Sequence, residues 1–111
     1  MREVGADLSN DIVAVKDWLV ANFPFVQRIW LYGSRARGDQ TPRADIDLAV
    51  ECAPETSRDE WMHLANSVAE SAPTFLFVDI ICLDTVQDAL KTNIRREGRV
   101  IYERTRGDIA D

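Results

Sequence analysis

Asp45 and Asp47 sit two residues apart in the run Asp45-Ile46-Asp47-Leu48-Ala49-Val50, and that spacing decides what chemistry they can share. Read as a strand, the run puts Ile46, Leu48 and Val50 on one face and Asp45, Asp47 and Ala49 on the other. Two carboxylates so close repel each other unless something positive lies between them, and hard oxygen donors at this spacing suit Mg²⁺ or Mn²⁺. The plainer alternative is the solvent face of an edge strand, because aspartate is otherwise poor in strands. Asp79 interrupts the apolar run from Phe75 to Leu83, which reads as a central strand buried on both faces. Buried without a partner, its carboxylate would cost several kcal/mol, so it must meet a cation, a metal ion or a set of donors. A structural ion pair would satisfy it. A neighbouring strand carrying Asp79 beside Asp45 and Asp47 would instead complete a site for two divalent ions that align a phosphoryl group with its attacking and leaving oxygens. Gly33-Ser34, where a strand gives way to a helix, is the kind of place that attracts phosphate through free N–H groups and the helix dipole. A simple turn and cap accounts for the same pair.

These residues need elements to hold them. Leu8, Ile12, Val15 and Leu19 recur at helical spacing and predict a helix from about residue 8 to 22, capped by Asp7 or Ser9 and ended before Pro24. Val26–Tyr32 reads as a strand stopped by Gly33, and residues 34–38 as a short helix. A loop over 39–44 leads to the Asp45 strand. Ser57 with Glu60 forms a capping-box signature for a helix to about Ser71, which Pro73 ends. Asp84 or Thr85 can cap a last helix carrying Val86, Leu90 and Ile94 and stopped at Gly98, before a strand over 99–103. Helices and strands therefore alternate, and the fold class is α/β: a small mixed sheet flanked by helices.

At 111 residues the chain is expected to be a single domain, 1–111, with a core over about 8–103 and a polar tail over 104–111. That leaves no room for a separate substrate-binding domain, so a second molecule must help to grip the substrate. The net charge of −6 argues against a surface that embraces nucleic acid, which needs a concentrated positive field. Charge is nevertheless local, since Arg28, Arg35, Arg37 and Arg43 share a stretch holding one acid, Asp39. Cys52 and Cys82 each close an apolar run without a CxxC or Cys/His neighbour and are expected to be buried thiols. The first residues lack the apolar core of a signal peptide and no apolar run is long enough to span a membrane, so the expected location is the cytoplasm.

Taken together, Leu31-Tyr32-Gly33-Ser34-Arg35-Ala36-Arg37-Gly38-Asp39, followed by Asp45-Ile46-Asp47, closely resembles the signature of the polymerase β-like nucleotidyltransferases, and specifically their minimal (MNT) branch. The resemblance extends over about residues 10 to 103, including the Asp79 strand and Ile94-Arg95-Arg96-Glu97-Gly98-Arg99-Val100-Ile101-Tyr102. It implies a polymerase β-like nucleotidyltransferase fold in which Ser34 and the Gly33 backbone hold the triphosphate of ATP. Asp45 and Asp47 would bind two Mg²⁺ (or Mn²⁺) ions, and Asp79 would bind one of them and help to deprotonate the acceptor. Arg35 and Arg37 would neutralise the triphosphate or face a partner protein. MNT proteins of this size pair with all-helical HEPN proteins as antitoxin and toxin, the MNT member adding AMP to a tyrosine of the toxin. The implied partner is therefore a HEPN toxin, and the implied activity is protein adenylylation.

Two rivals come from other classes: a catalytically silent antitoxin that acts by binding, and a transferase for a small hydroxylated acceptor such as an aminoglycoside. The three mutually repelling carboxylates disfavour the first and the absence of an acceptor domain the second. Arg58 to His63 matches the arginine-to-histidine spacing of HEPN ribonucleases, but it falls on a predicted helix of an α/β chain and reads as coincidence. His63 is the lone histidine, which excludes histidine-based metal clusters. Trp18, Trp30 and Trp61 read as core rather than stacking platforms. Lys91, Arg95, Arg96 and Arg99 complement the dipole at the end of the last helix.

Overall fold

Ser9 supplies the first cap: its hydroxyl accepts from the Ile12 N–H at 3.3 Å, and the helix α1 (Asn10–Asn22) begins. The computed structural model describes residues 8–104, so the Asp7 alternative and most of the polar tail lie outside the described residues. After α1 come β1 (Val26–Tyr32), α2 (Ser34–Arg37), β2 (Ile46–Cys52), α3 (Arg58–Ser71), β3 (Val78–Cys82), α4 (Asp88–Glu97) and β4 (Arg99–Glu103). The capping box at α3 is complete, with Glu60 N–H donating to the Ser57 hydroxyl at 3.0 Å and Ser57 N–H donating to the Glu60 carboxylate at 2.8 Å.

The strands form one mixed sheet in the order β3-β2-β1-β4. β1 runs antiparallel to β2 and β4, whereas β2 and β3 are parallel. One face carries Ile29 and Leu31 of β1 with Ile46, Leu48 and Val50 of β2 against Ile12, Val15 and Leu19 of α1 and Leu64 and Val68 of α3. The other face carries Trp30, Tyr32, Ala49 and Ile81 against Ile94 of α4. Period-two alternation in β2 therefore separates the main core from the face on which Asp47 stands.

Two expectations fail. The run from Phe75 to Leu83 is not a central strand: it pairs only over Val78–Cys82, and only with β2, at an edge of the sheet. Phe75 is fully exposed and Phe77 is 65% exposed, while Leu76, Val78 and Ile80 alternate inward. The segment before β3 is instead bent by Thr74, whose hydroxyl donates to Asp11 at 2.7 Å and accepts from the Leu76 N–H at 3.1 Å. An apolar run says nothing about which neighbours it has, so it cannot separate an edge from a centre. The last helix also starts later than Asp84 or Thr85, because Leu83–Thr85 forms a 3-10 turn and Gln87 precedes α4.

The corrected edge makes a direct comparison. Leu48→Ala, in the core, is expected to cost about 2–5 kcal/mol of unfolding free energy. Phe75→Ser should stay within about 0.5 kcal/mol. Denaturant unfolding of both variants measures this, and a loss at Phe75 as large as that at Leu48 would return the residue to the core.

Candidate active site

β1 ends at Gly33 with φ 74° and ψ −155°, backbone angles that a side chain makes costly. A Cβ there would collide with the Asp47 carboxylate, so glycine is required twice, by its conformation and by the acid lying over it. Ser34 then opens α2, a single turn in which the Ala36 and Arg37 N–H groups donate to the Gly33 carbonyl at 3.1 and 3.2 Å. Gly38 closes the turn in the left-handed region at φ 84°, donating to the Ser34 carbonyl at 2.9 Å.

Register brings the acids together. Asp47 pairs with Tyr32 across β1 and with Asp79 across β3, so all three share one face. Asp45 lies two residues earlier, exposed, just before β2 begins. Asp47 is half-buried; that burial, followed by the charges of Asp79 and Asp45, raises its pKa above the ordinary carboxylate value, while Arg37 draws it back down. Tyr32 is pushed up to about 12 by burial and then by Asp79 and Asp47, so it stays a neutral phenol near neutrality. Asp79 is exposed, which corrects the expectation of a buried carboxylate. Its neighbourhood, rather than its burial, marks it out.

Arg35, which the resemblance sets at the triphosphate or facing a partner protein, is turned to the loop before Asp45. It is only 9% exposed, and its guanidinium donates to the Ala44 carbonyl at 2.8 and 3.1 Å, to the Asp45 carbonyl at 3.3 Å and to the Pro42 carbonyl at 3.4 Å. It fastens the loop that delivers Asp45. Arg37 is exposed, pairs with Asp39 at 3.2 Å and is the cation that acts on Asp47. Asp39, expected to be a plain loop acid, is thus a partner of Arg37. Arg28 lies away from the acids: it bridges Glu51 at 3.1 Å and Glu103 at 2.8 Å, and Trp30 donates to the same Glu51 oxygen at 2.7 Å, clasping β1, β2 and β4. The cysteines are half-buried neighbours rather than separate core thiols, and burial pushes the Cys52 thiol up to about 12. The residues not found in the sequence are Tyr32 as a member of the acid cluster and Glu51 as the centre of the clasp. Both follow from strand parity once the pairing is known.

Asp45, Asp47 and Asp79 offer only hard carboxylate oxygens, and the repulsion that lifts Asp47 is the kind a divalent cation relieves. In kind, then, the donors fit such an ion. Among the described residues, however, no three His, Cys, Asp or Glu side chains are arranged as they stand to hold one.

The chain is thus a mixed α/β sheet that presents acids on paired strands beside a glycine turn. Residues 15–107 match the Polymerase beta, Nucleotidyltransferase family, and the chain belongs to it. A toxin–antitoxin complex with AMP-PNP contains a similar chain, 27% identical, with a TM-score of 0.63 over 89% of this chain and 76% of that one. The MntA–HepT toxin–antitoxin complex gives 22% identity and a TM-score of 0.61, covering 88% and 74%. A tri-AMPylated Shewanella oneidensis HEPN toxin in complex with its MNT antitoxin gives 22% and 0.58, covering 88% and 76%. Comparison with curated proteins gives no match.

The raised pKa of Asp47 has a definite sign. With the folded pKa above the ordinary 3.8, the native chain binds more protons in that window, so this group's contribution to stability is present below 3.8 and lost as pH rises through the folded value. Asp47→Asn is therefore expected to raise the melting temperature at about pH 7, by an amount that shrinks as the pH is lowered toward 3.8. Calorimetry across that range checks it; a lower melting temperature at neutral pH would mean that donors hold the carboxylate in place. Gly33→Ala should instead destabilise by about 1–3 kcal/mol from backbone strain alone.

Proposed function

We propose that this chain is a metal-dependent nucleotidyltransferase that moves AMP from ATP to a hydroxyl of a protein acceptor, a tyrosine of a HEPN toxin, and so acts as the antitoxin of the pair. The observation that carries this reading is the pairing of Asp47 with Asp79 across β2 and β3, with Asp45 two residues away and Gly33-Ser34 at the end of the adjoining strand. The AMP-PNP and tri-AMPylated relatives support the nucleotide and the acceptor. Residues 1–111 would act as one domain in the cytoplasm. Among the described residues no helix is long and apolar enough to cross a membrane.

Each side chain then has a task. Ser34 and the Gly33 backbone hold the triphosphate, and Arg37 offsets its charge; Arg35 serves by fixing the loop before Asp45. Asp45, Asp47 and Asp79 would hold two Mg²⁺ or Mn²⁺ ions. When bound, the ions would screen the phosphate oxygens and make the acceptor oxygen a better nucleophile. The acceptor oxygen attacks the α-phosphorus, a new P–O bond forms, and the bond from that phosphorus to the bridging oxygen breaks in line, releasing pyrophosphate. Asp79, exposed and on the strand next to Asp47, is open to an incoming hydroxyl and would take its proton.

The test is incubation with Mg²⁺, labelled ATP and the product of the neighbouring gene. Label should appear on that product, vanish with a chelator and fall by at least about a hundredfold with Asp47→Asn, a loss typical of removing a group that stabilises transition-state charge. A tight complex without label would favour an antitoxin that acts by binding alone. Label on a small hydroxylated compound, with none on protein, would favour the remaining alternative.

A further inference from the structure

Among the described residues, Phe75 and Phe77 are the two most exposed large hydrophobic side chains. Leu76, Val78 and Ile80 pack toward the main core, so alternation sends Phe77 and Asp79 together to the other side. The Phe77 carbonyl accepts from the Ile46 N–H at 2.9 Å, which carries the β2 register back by one residue and sets Phe77 level with Asp45. Phe77 and Asp79 also line one groove of ≈ 390 Å³, walled on its far side by Ala65 and Ala69 of α3. Apolar side chains scattered singly over a surface are ordinary, but two together beside a candidate active site mark a contact surface. The strand order tells which substrate passes there. In the reading proposed above, the triphosphate lies at Gly33-Ser34, at the end of β1; β2 carries Asp47 in the middle, and β3 lies beyond it. In-line transfer places the attacking oxygen opposite the leaving pyrophosphate. With the pyrophosphate over β1, the acceptor hydroxyl comes in over β3, where Phe77 and Asp79 stand.

We propose that Phe77 is the acceptor-binding residue that selects a tyrosine: the phenol ring of the acceptor packs against the Phe77 ring, and its hydroxyl extends to Asp79. This rests on the reading of the chain as a transferase for a protein acceptor, and adds to it the side chain that chooses among hydroxyls. Successive positions on one face of a strand are about 7 Å apart. Tyrosine suits that interval, because its rigid ring carries the hydroxyl at the far end and pairs with another ring edge to face or offset. Serine and threonine hydroxyls sit one bond from Cβ and leave the Phe77 ring uncovered. The contact is made between side chains and asks nothing of the acceptor's backbone, so a tyrosine on a helix makes it as well as one in a loop. A second copy of this chain is a poor occupant, because each copy carries a net charge of −6 and brings it to a face lined with acids.

Steady-state transfer of label to the neighbouring-gene product, with Mg²⁺ and labelled ATP, reads the contact. Phe77→Ala should raise the KM for that product by about tenfold or more, the loss expected for one aromatic contact taken out of water, while the Kd of AMP-PNP with Mg²⁺ stays as in the parent chain. Phe77→Trp should restore the KM. Phe77→Leu keeps the apolar bulk and loses the ring; it should still raise the KM by about threefold or more, and it carries the test if the alanine variant does not fold. Mass spectrometry should place the label on a tyrosine, and label on serine or threonine overturns the proposal. So does an acceptor KM that neither variant changes, or a loss of AMP-PNP affinity in its place, which gives the ring to the adenine. A dimer of the chain alone that Phe77→Ala dissolves gives it to a second copy and overturns the proposal likewise. A complex that forms without label and weakens by about tenfold with Phe77→Ala upholds the contact and removes the transferase reading; label on the product with an unchanged KM does the reverse, so the two fail separately.

Discussion

Strand parity in β2 is the constraint on which everything else rests. Ile46, Leu48 and Val50 are wholly buried on one face, and that burial fixes the register against β1 and β3. Because side chains alternate, the same register sets Asp47 opposite Tyr32 on one side and Asp79 on the other. A slip by one residue would turn the acids into the core and expose the leucine and isoleucine, at a cost the fold could not bear. The free energy of the core thus positions the candidate site.

What the core imposes, the acids resist. Asp47 is drawn partly out of water and placed beside two like charges, and its raised pKa records the conflict. Among the described residues, the charge that relieves it is that of Arg37 in α2, itself shared with Asp39. Gly33 adds a second constraint at the same spot, a positive φ that glycine takes freely and other residues do not, beneath the Asp47 carboxylate. Like-charge repulsion concentrated at one place, within a sheet otherwise well packed, is the pattern expected at a functional site.

Local chemistry was legible in the sequence, and relations between segments were not. Val26–Tyr32 and the Ser57–Glu60 capping box could be read because each is decided within a few residues. The alternation of Ile46, Leu48 and Val50 with Asp47 was also local, although Asp45 falls just before the strand. The edge position of β3 was hidden, since Phe75 and Phe77 look like core until the bend at Thr74 turns them outward. The resemblance set Arg35 at the triphosphate or against a partner protein, and neither role hints at the loop it holds. Its true partners are carbonyls seven to ten residues ahead, which only the folded loop brings within reach. Tyr32, Glu51 and the closeness of the two free cysteines needed knowledge of which strands are neighbours.

The grip of Arg35 gives the motif itself a mechanical meaning. Ten residues separate Ser34 from Asp45, and a spacer of that kind would ordinarily tolerate insertion, since loop closure depends only weakly on length. Here one planar side chain from the start of the interval holds the carbonyls of Pro42, Ala44 and Asp45 at its end. The interval is a ruler rather than a tether. A residue added between Pro42 and Asp45 would leave Arg35 unable to reach all three carbonyls at once and would free the stretch that leads into the acid strand.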